Sequence, residues 1–166
     1  MTRAVAGLMP IRRRRGVSEV VMALDLGPLD SHVGYLLRRA QLAVFAEIGT
    51  GFAMHGMSPA DYAVLTVIDR NPGAGQTQVA DTLGIQKTNF VPLIRRMESR
   101  GLVRRTPSAR DRRSMALTLT AEGEALLAAL HAAAQAHVDR VRAHLGPDRY
   151  DALLGPLQQL ATIMRP

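Results

Sequence analysis

Apolar residues recur at helical spacing through most of this chain, and the breaks between blocks divide it into six helices and one β-hairpin. Val33, Leu36, Leu37, Ala40, Val44 and Ile48 repeat at intervals of three and four, as on one face of a helix. Gly27-Pro28 precedes this block, Asp30 or Ser31 can cap it, and Gly49, Gly51 and then His55-Gly56 are expected to end it. Ser58-Pro59-Ala60-Asp61 is a helix start: serine caps, proline suits the first helical position, and aspartate opposes the dipole. Val64, Leu65 and Ile68 form the buried stripe of this second helix, which Asn71-Pro72-Gly73-Ala74-Gly75 breaks.

Thr77 is placed to cap a short third helix with Val79, Ala80 and Leu83 facing inward. Gly84 permits a tight turn and Ile85 plugs the corner. A fourth helix follows with Phe90, Leu93, Ile94 and Met97 as its apolar stripe, stopping at Gly101. This is a helix-turn-helix pattern. Strands are expected at Val103–Thr106 and Ser114–Leu119, with Leu117 and Leu119 alternating against Thr118, joined by the basic stretch Pro107 to Arg113. Thr120 caps a long helix with Glu122 and Glu124 in its first turn and Leu126, Leu127, Leu130, Ala134, Val138, Val141 and Leu145 as its stripe. Gly146-Pro147 ends it, and Asp148 opens a last helix carrying Leu153, Leu154, Leu157, Leu160 and Ile163.

The expected class is mainly α (α+β): a winged helix-turn-helix at about residues 58–120, flanked by N- and C-terminal helices at about 30–55 and 121–164. The terminal helices carry more apolar surface than a small winged module can cover, so they are expected to meet their counterparts in a homodimer. Residues 1–27 read as a basic tail. Arg12 to Arg15 resemble the start of an export signal, but Glu19 and Asp25 interrupt the apolar stretch. We expect a disordered tail, or leader from an over-long gene start with Met22 as the true start; the alternative is a basic arm that touches DNA. No segment has the length and apolarity of a membrane span.

Composition narrows the chemistry. The chain of 166 residues is 47% hydrophobic but only 4% aromatic, so its core is aliphatic, as in helix packing. With no cysteine, it has no disulfide, thiolate metal site or cysteine nucleophile, which fits a cytoplasmic protein. No phosphate-binding glycine loop and no nucleophile-base-acid set is present, so an enzyme is not expected and no cofactor is implied. His131, His137 and His144 are spaced too widely along one helix to clasp one metal.

Charge decides the rest. Lys87, Arg95, Arg96, Arg100, Arg104, Arg105, Arg110, Arg112 and Arg113 face only Glu98 and Asp111 in the same stretch: nine minus two gives +7, the net charge of the whole chain. A scaffold that gathers its excess charge on one helix and one turn suits a polyanion, and double-stranded DNA is the expected partner. Gln86, Lys87, Thr88 and Asn89 stand at the N-terminus of the fourth helix, where side chains can read bases in a major groove. Arg95 and Arg96 lie further along; at least one is expected to reach phosphate. Arg104 and Arg105 can do the same, or simply form a solvated strand face.

These residues resemble the MarR family of transcriptional regulators over roughly Asp30 to Met164. The most specific piece is DRRSMALTLTAEG (Asp111 to Gly123), directly after SRGLVRR (Ser99 to Arg105). The resemblance implies a homodimer that binds an operator with two half-sites, commonly as a repressor relieved by a small aromatic ligand. It places the wing-tip arginine, Arg113, in the minor groove, with Arg110 and Arg112 nearby, and gives Asp111 the role of orienting arginines. It also implies an effector pocket lined by the first, second and fifth helices. His32, Tyr35 and Arg39 share one face there, and with Phe45, Phe52, His55 and Tyr62 they would suit an aromatic acid or phenol; ordinary surface or dimer contacts are the alternative. Thr88 to Leu93 looks like a subgroup that sometimes senses acyl-CoA thioesters. One departure is Pro92, where family members usually carry a helix former or polar residue. Either the recognition helix starts near Thr88 or Asn89, leaving Pro92 in its first turn, or it is kinked. A winged helix that binds proteins, or a constitutive regulator with no effector, are the competing readings.

Overall fold

The computed structural model describes residues 24–107 and 115–163. Most of the basic tail, the wing tip with Arg110, Asp111, Arg112 and Arg113, and the position of Ser114 therefore lie outside the described residues. A 3₁₀ turn at Gly27–Ser31 leads into α1 (Val33–Ala53). Then come α2 (Pro59–Arg70), β1 (Ala74–Gly75), α3 (Gln76–Thr82), α4 (Lys87–Ser99), β2 (Val103–Pro107), β3 (Met115–Leu119), α5 (Ala121–Leu145) and α6 (Pro147–Ile163). No helix among the described residues is long and apolar enough to cross a membrane.

The core lies where α2, α4 and the sheet meet the C-terminal end of α1 and the first half of α5. Phe52, Val64, Leu65, Ile68, Phe90, Ile94, Met97, Leu117 and Leu130 are fully enclosed there. The start of α2 forms as its residues dictate. Ser58 Oγ accepts from the Asp61 N–H, while Asp61 Oδ2 accepts from the Ser58 N–H at 2.8 Å, so each satisfies a donor the other leaves open.

Three expectations need correction. Asp30 and Ser31 do not cap α1: they sit in the 3₁₀ turn, and His32 occupies the N-cap without a side-chain bond. Gly49 and Gly51 do not end α1 either. They lie inside it, where packing against α5 outweighs the weak helix preference of glycine, and a Cβ on Gly51 would touch Ala133 at an ordinary 3.6 Å. Thr77 does not cap α3. Gly75 holds that position, its N–H donating to Gln78 Oε1 at 3.2 Å, because Ala74 and Gly75 are drawn into the sheet.

That sheet has three strands in the order β1-β3-β2, all antiparallel. Ala74 pairs with Leu117 and Gly75 with Ala116; Val103 pairs with Leu119 and Arg105 with Leu117. The expected alternation along β3 is incomplete, since Ala116 is buried beside Leu117. The expected stripes of the terminal helices also stay open in the single chain. Val33, Leu36, Leu37 and Val44 on α1 are exposed, as are Leu153, Leu154, Leu157 and Ile163 on α6.

One tight contact joins the sheet to α5. A Cβ built on Gly123 would stand 2.1 Å from the Leu102 carbonyl oxygen, which is backbone and cannot swing away. We expect Gly123→Ala to lower the unfolding free energy by about 1–3 kcal/mol, as overpacking does, in urea titration. A variant as stable as the parent would contradict this packing.

Candidate nucleic-acid interface

The surface expected to meet DNA is built from a turn that glycine makes possible. Gly84 has φ +64°, a conformation that side chains with a Cβ disfavour. At the end of α3, Gly84 N–H reaches Asp81 O at 3.2 Å and Ile85 N–H reaches Ala80 O at 2.9 Å, which closes the helix and turns the chain. Ile85 is half-buried in the corner, as its spacing predicts. Helix α4 then begins at Lys87 with Gln86 as its N-cap. Phe90, Ile94 and Met97 seat it in the core, and its opposite face is exposed.

Gln86, Lys87, Thr88 and Asn89 are all exposed at this N-terminus, and none of their side chains bonds to another described residue. Helix α4 starts at Lys87 rather than near Thr88 or Asn89, so Pro92 is its sixth residue and sits in the second turn instead of the first.

The arginines divide into two sets. Arg95 is exposed and makes no ion pair with a described residue, as does Arg104. Arg96, its neighbour, is tied to the buried Asp61 of α2. Arg100 donates to the Gly56 carbonyl at 2.8 Å and the His55 carbonyl at 3.0 Å, clamping the end of α4 to the α1–α2 connection. Arg105 points inward from β2 and pairs with Glu98 of α4. The hydrogen bond to Glu98 holds its guanidinium above the ordinary value against the opposing effect of burial. Three cations that the sequence adds to the polyanion surface thus also hold α4 in place.

The seven effector candidates fall into two groups. Phe52 is fully buried and its ring centroid lies 5.0 Å from that of Tyr62. Tyr62 is also bonded across 2.9 Å from its hydroxyl to Nδ1 of His131 on α5, ring edge to ring face. His55 is half-buried beside this cluster in sequence, with its carbonyl engaged by Arg100. His32, Arg39 and Phe45 are exposed and Tyr35 half-buried along α1. Arg39 and Phe52 are separated by about 20 Å of helix.

Sequence reasoning missed His131, because its partner is 69 residues away. It also missed a polar link between α1 and α5: Glu47 meets the buried His137 and accepts from Arg140 Nε at 2.5 Å. A carboxylate only accepts, so Nδ1 of His137 carries the proton. Burial, and then the Arg140 cation, lower the pKa of His137. His144 bonds instead to the Arg140 carbonyl at 2.7 Å, so the three α5 histidines have three separate protein partners.

A MarR family sequence model matches residues 55–114, beginning in the connection between α1 and α2. The structure of the transcriptional repressor CouR bound to a 23-mer DNA duplex is 45% identical and superposes with a TM-score of 0.77, covering 86% of this chain and 99% of that one. This protein belongs to the MarR family. CouR bound to p-coumaroyl-CoA is 43% identical over 84% of this chain and 98% of that one, again with a TM-score of 0.77. A regulatory protein assigned to the hcr operon of Thauera aromatica is 29% identical over 153 residues, covering 90% of this chain and 92% of its own length. These relatives are transcriptional regulators, and the winged fold of the family is the one observed here.

The split among the arginines gives a test. We expect Arg96→Gln to cost about 1.5–3 kcal/mol of stability, because it leaves the buried Asp61 without its charged donor. Arg95→Gln should stay within about 0.5 kcal/mol of the parent, as exposed substitutions do. Urea unfolding of both variants checks this, and equal costs would contradict the division.

Proposed function

We propose that this protein is a homodimeric, sequence-specific transcriptional repressor that leaves its operator when an aromatic effector binds. In this reading residues of about 58–120 meet the DNA, while the helices at about 30–55 and 121–164 pair with those of a second copy. The observation that carries the reading is the free polar start of α4, Gln86 to Asn89, on a fold 45% identical to a repressor solved with a DNA duplex. The exposed Arg95 and Arg104 and the wing residues Arg110, Arg112 and Arg113 then supply phosphate and minor-groove contacts, with Asp111 holding the wing arginines. The open apolar faces of α1 and α6 supply the dimer surface.

The effector proposal draws on the likeness to CouR with p-coumaroyl-CoA and on the two groups of candidates. An aromatic ring at the Phe52–Tyr62–His131 cluster and an anionic tail running toward Arg39 would engage both. A thioester is long enough to do this; a simple aromatic acid or phenol would occupy the cluster alone.

Two measurements test the reading. With about eight phosphates neutralised per dimer, affinity for a duplex carrying the sequence upstream of the protein's own transcription unit should fall by roughly three to five decades between 50 and 200 mM salt. Arg113→Ala should weaken binding on all duplexes, and Asn89→Ala should relax preference at one base pair. Salt-insensitive binding, or equal loss for both variants on every duplex, would overturn the assignment. Aromatic acyl-CoA thioesters should reduce operator affinity about 5- to 150-fold. If neither thioesters nor free aromatic acids shift it, the protein is a constitutive regulator.

A further inference from the structure

The proline inside α4 lies in the middle of the surface assigned to DNA. Successive residues of a helix turn by about 100°, so the face opposite Phe90, Ile94 and Met97 is formed by Thr88, Pro92, Arg95 and Ser99. All four are exposed. The helix runs through Pro92 to Ser99 without a break, so it accommodates the proline.

Its accommodation has a chemical consequence. In an α-helix the carbonyl of residue 88 accepts from the N–H of residue 92, and proline has no N–H. The pyrrolidine ring also presses on that same carbonyl, and solvent-side carbonyls tilt outward from the axis. Among the described residues, no side chain donates to the Thr88 carbonyl and no backbone bond from outside the helix reaches it. The side chains beside it on this face, Thr88 and Pro92, are short. A backbone can therefore approach a groove closely at this point.

We propose that the Thr88 carbonyl, released by Pro92, is a base-reading acceptor for the exocyclic amine of an adenine or cytosine in the major groove. This rests on the DNA-binding reading above and adds a contact that no side chain carries. An acceptor aimed at the groove floor selects adenine N6 or cytosine N4, the donors there, against guanine O6 and thymine O4, which only accept. Because the carbonyl belongs to the main chain, replacing the side chain of Thr88 leaves it in place. The residue that determines this selectivity is Pro92, which never needs to touch the base itself.

The test compares the parent with Pro92→Ala and Pro92→Val in selection from a randomised duplex pool, followed by titration of the selected duplex and its single-base variants. Both substitutions restore the N–H that occupies the Thr88 carbonyl; valine also keeps apolar bulk at the position. Both variants should unfold at a higher temperature than the parent, since each regains a helix bond. Both should lose about fivefold or more of discrimination at the same base pair of each half-site and keep it at the others. An unchanged preference profile in both variants overturns the proposal. So does a profile lost with alanine and kept with valine, which would assign the reading to apolar contact. If the parent itself enriches no sequence, the DNA-binding reading falls, and this proposal falls with it.

Discussion

The close approach between Leu102 and Gly123 sets the relation between the recognition helix and the long helix α5. At the end of α4, Gly101 adopts φ +70° and donates to Glu98 O, while the Leu102 N–H returns to Met97 O at 2.9 Å. The Leu102 carbonyl then accepts from the Thr120 N–H at 3.1 Å, and the Thr120 hydroxyl donates to Gly101 O at 2.5 Å. That same hydroxyl oxygen accepts from the Gly123 N–H at 3.0 Å, capping α5. Two short segments, joined by these bonds, thus end α4, open β2, close β3 and start α5. No side chain fits between Leu102 and Gly123, so the turn after α4 lies tight against the first turn of α5. In the dimer proposed above, this junction would convert the arrangement of two α5 helices into the spacing of two recognition helices.

Electrostatics then separates the residues that hold the reading head from those that face outward. Asp61 and Glu98 are carboxylates in a strongly basic region, and each captures an arginine of the α4–β2 unit. Arg96–Asp61 fixes α4 to α2, and Arg105–Glu98 fixes α4 to the sheet. Arg100 fixes the same helix to two carbonyls before α2. Helix α4, anchored on three sides, presents Gln86 to Asn89 and Arg95 at a defined angle, and the proposed base reading needs that preorganisation. Helix α5 has its own polar links, from Tyr62 of α2 to His131 and from Glu47 of α1 to His137 and Arg140.

Much of this was legible in the residue order because the decisive signals are local. Ser58-Pro59-Ala60-Asp61, Gly84, Gly101 and Thr120 each fix an element end within four residues of themselves, and the structure places all of them as their chemistry demands. The errors arose where a distant partner overrides local preference. Gly49 and Gly51 look like helix ends until α5 packs against α1. Thr77 looks like a cap until β1 pairs with β3 and moves the start of α3 upstream. The charge count was right in sum, but a count along the chain cannot show that Arg105 faces inward while Arg104 faces out. Strand alternation could have hinted at that difference. The Glu47–His137 link, 90 residues apart, had no signal in either local sequence.

The central claim is that two copies hold their recognition helices one helical repeat of DNA apart. The absence of cysteine makes it directly measurable, since Gln86→Cys supplies a single labelling site per copy. Pulsed dipolar spectroscopy on the spin-labelled protein bound to its operator should give one narrow distance of about 34–36 Å, the spacing of half-sites one turn apart. Absence of dipolar coupling, or a broad distribution with no maximum near that value, would contradict the account.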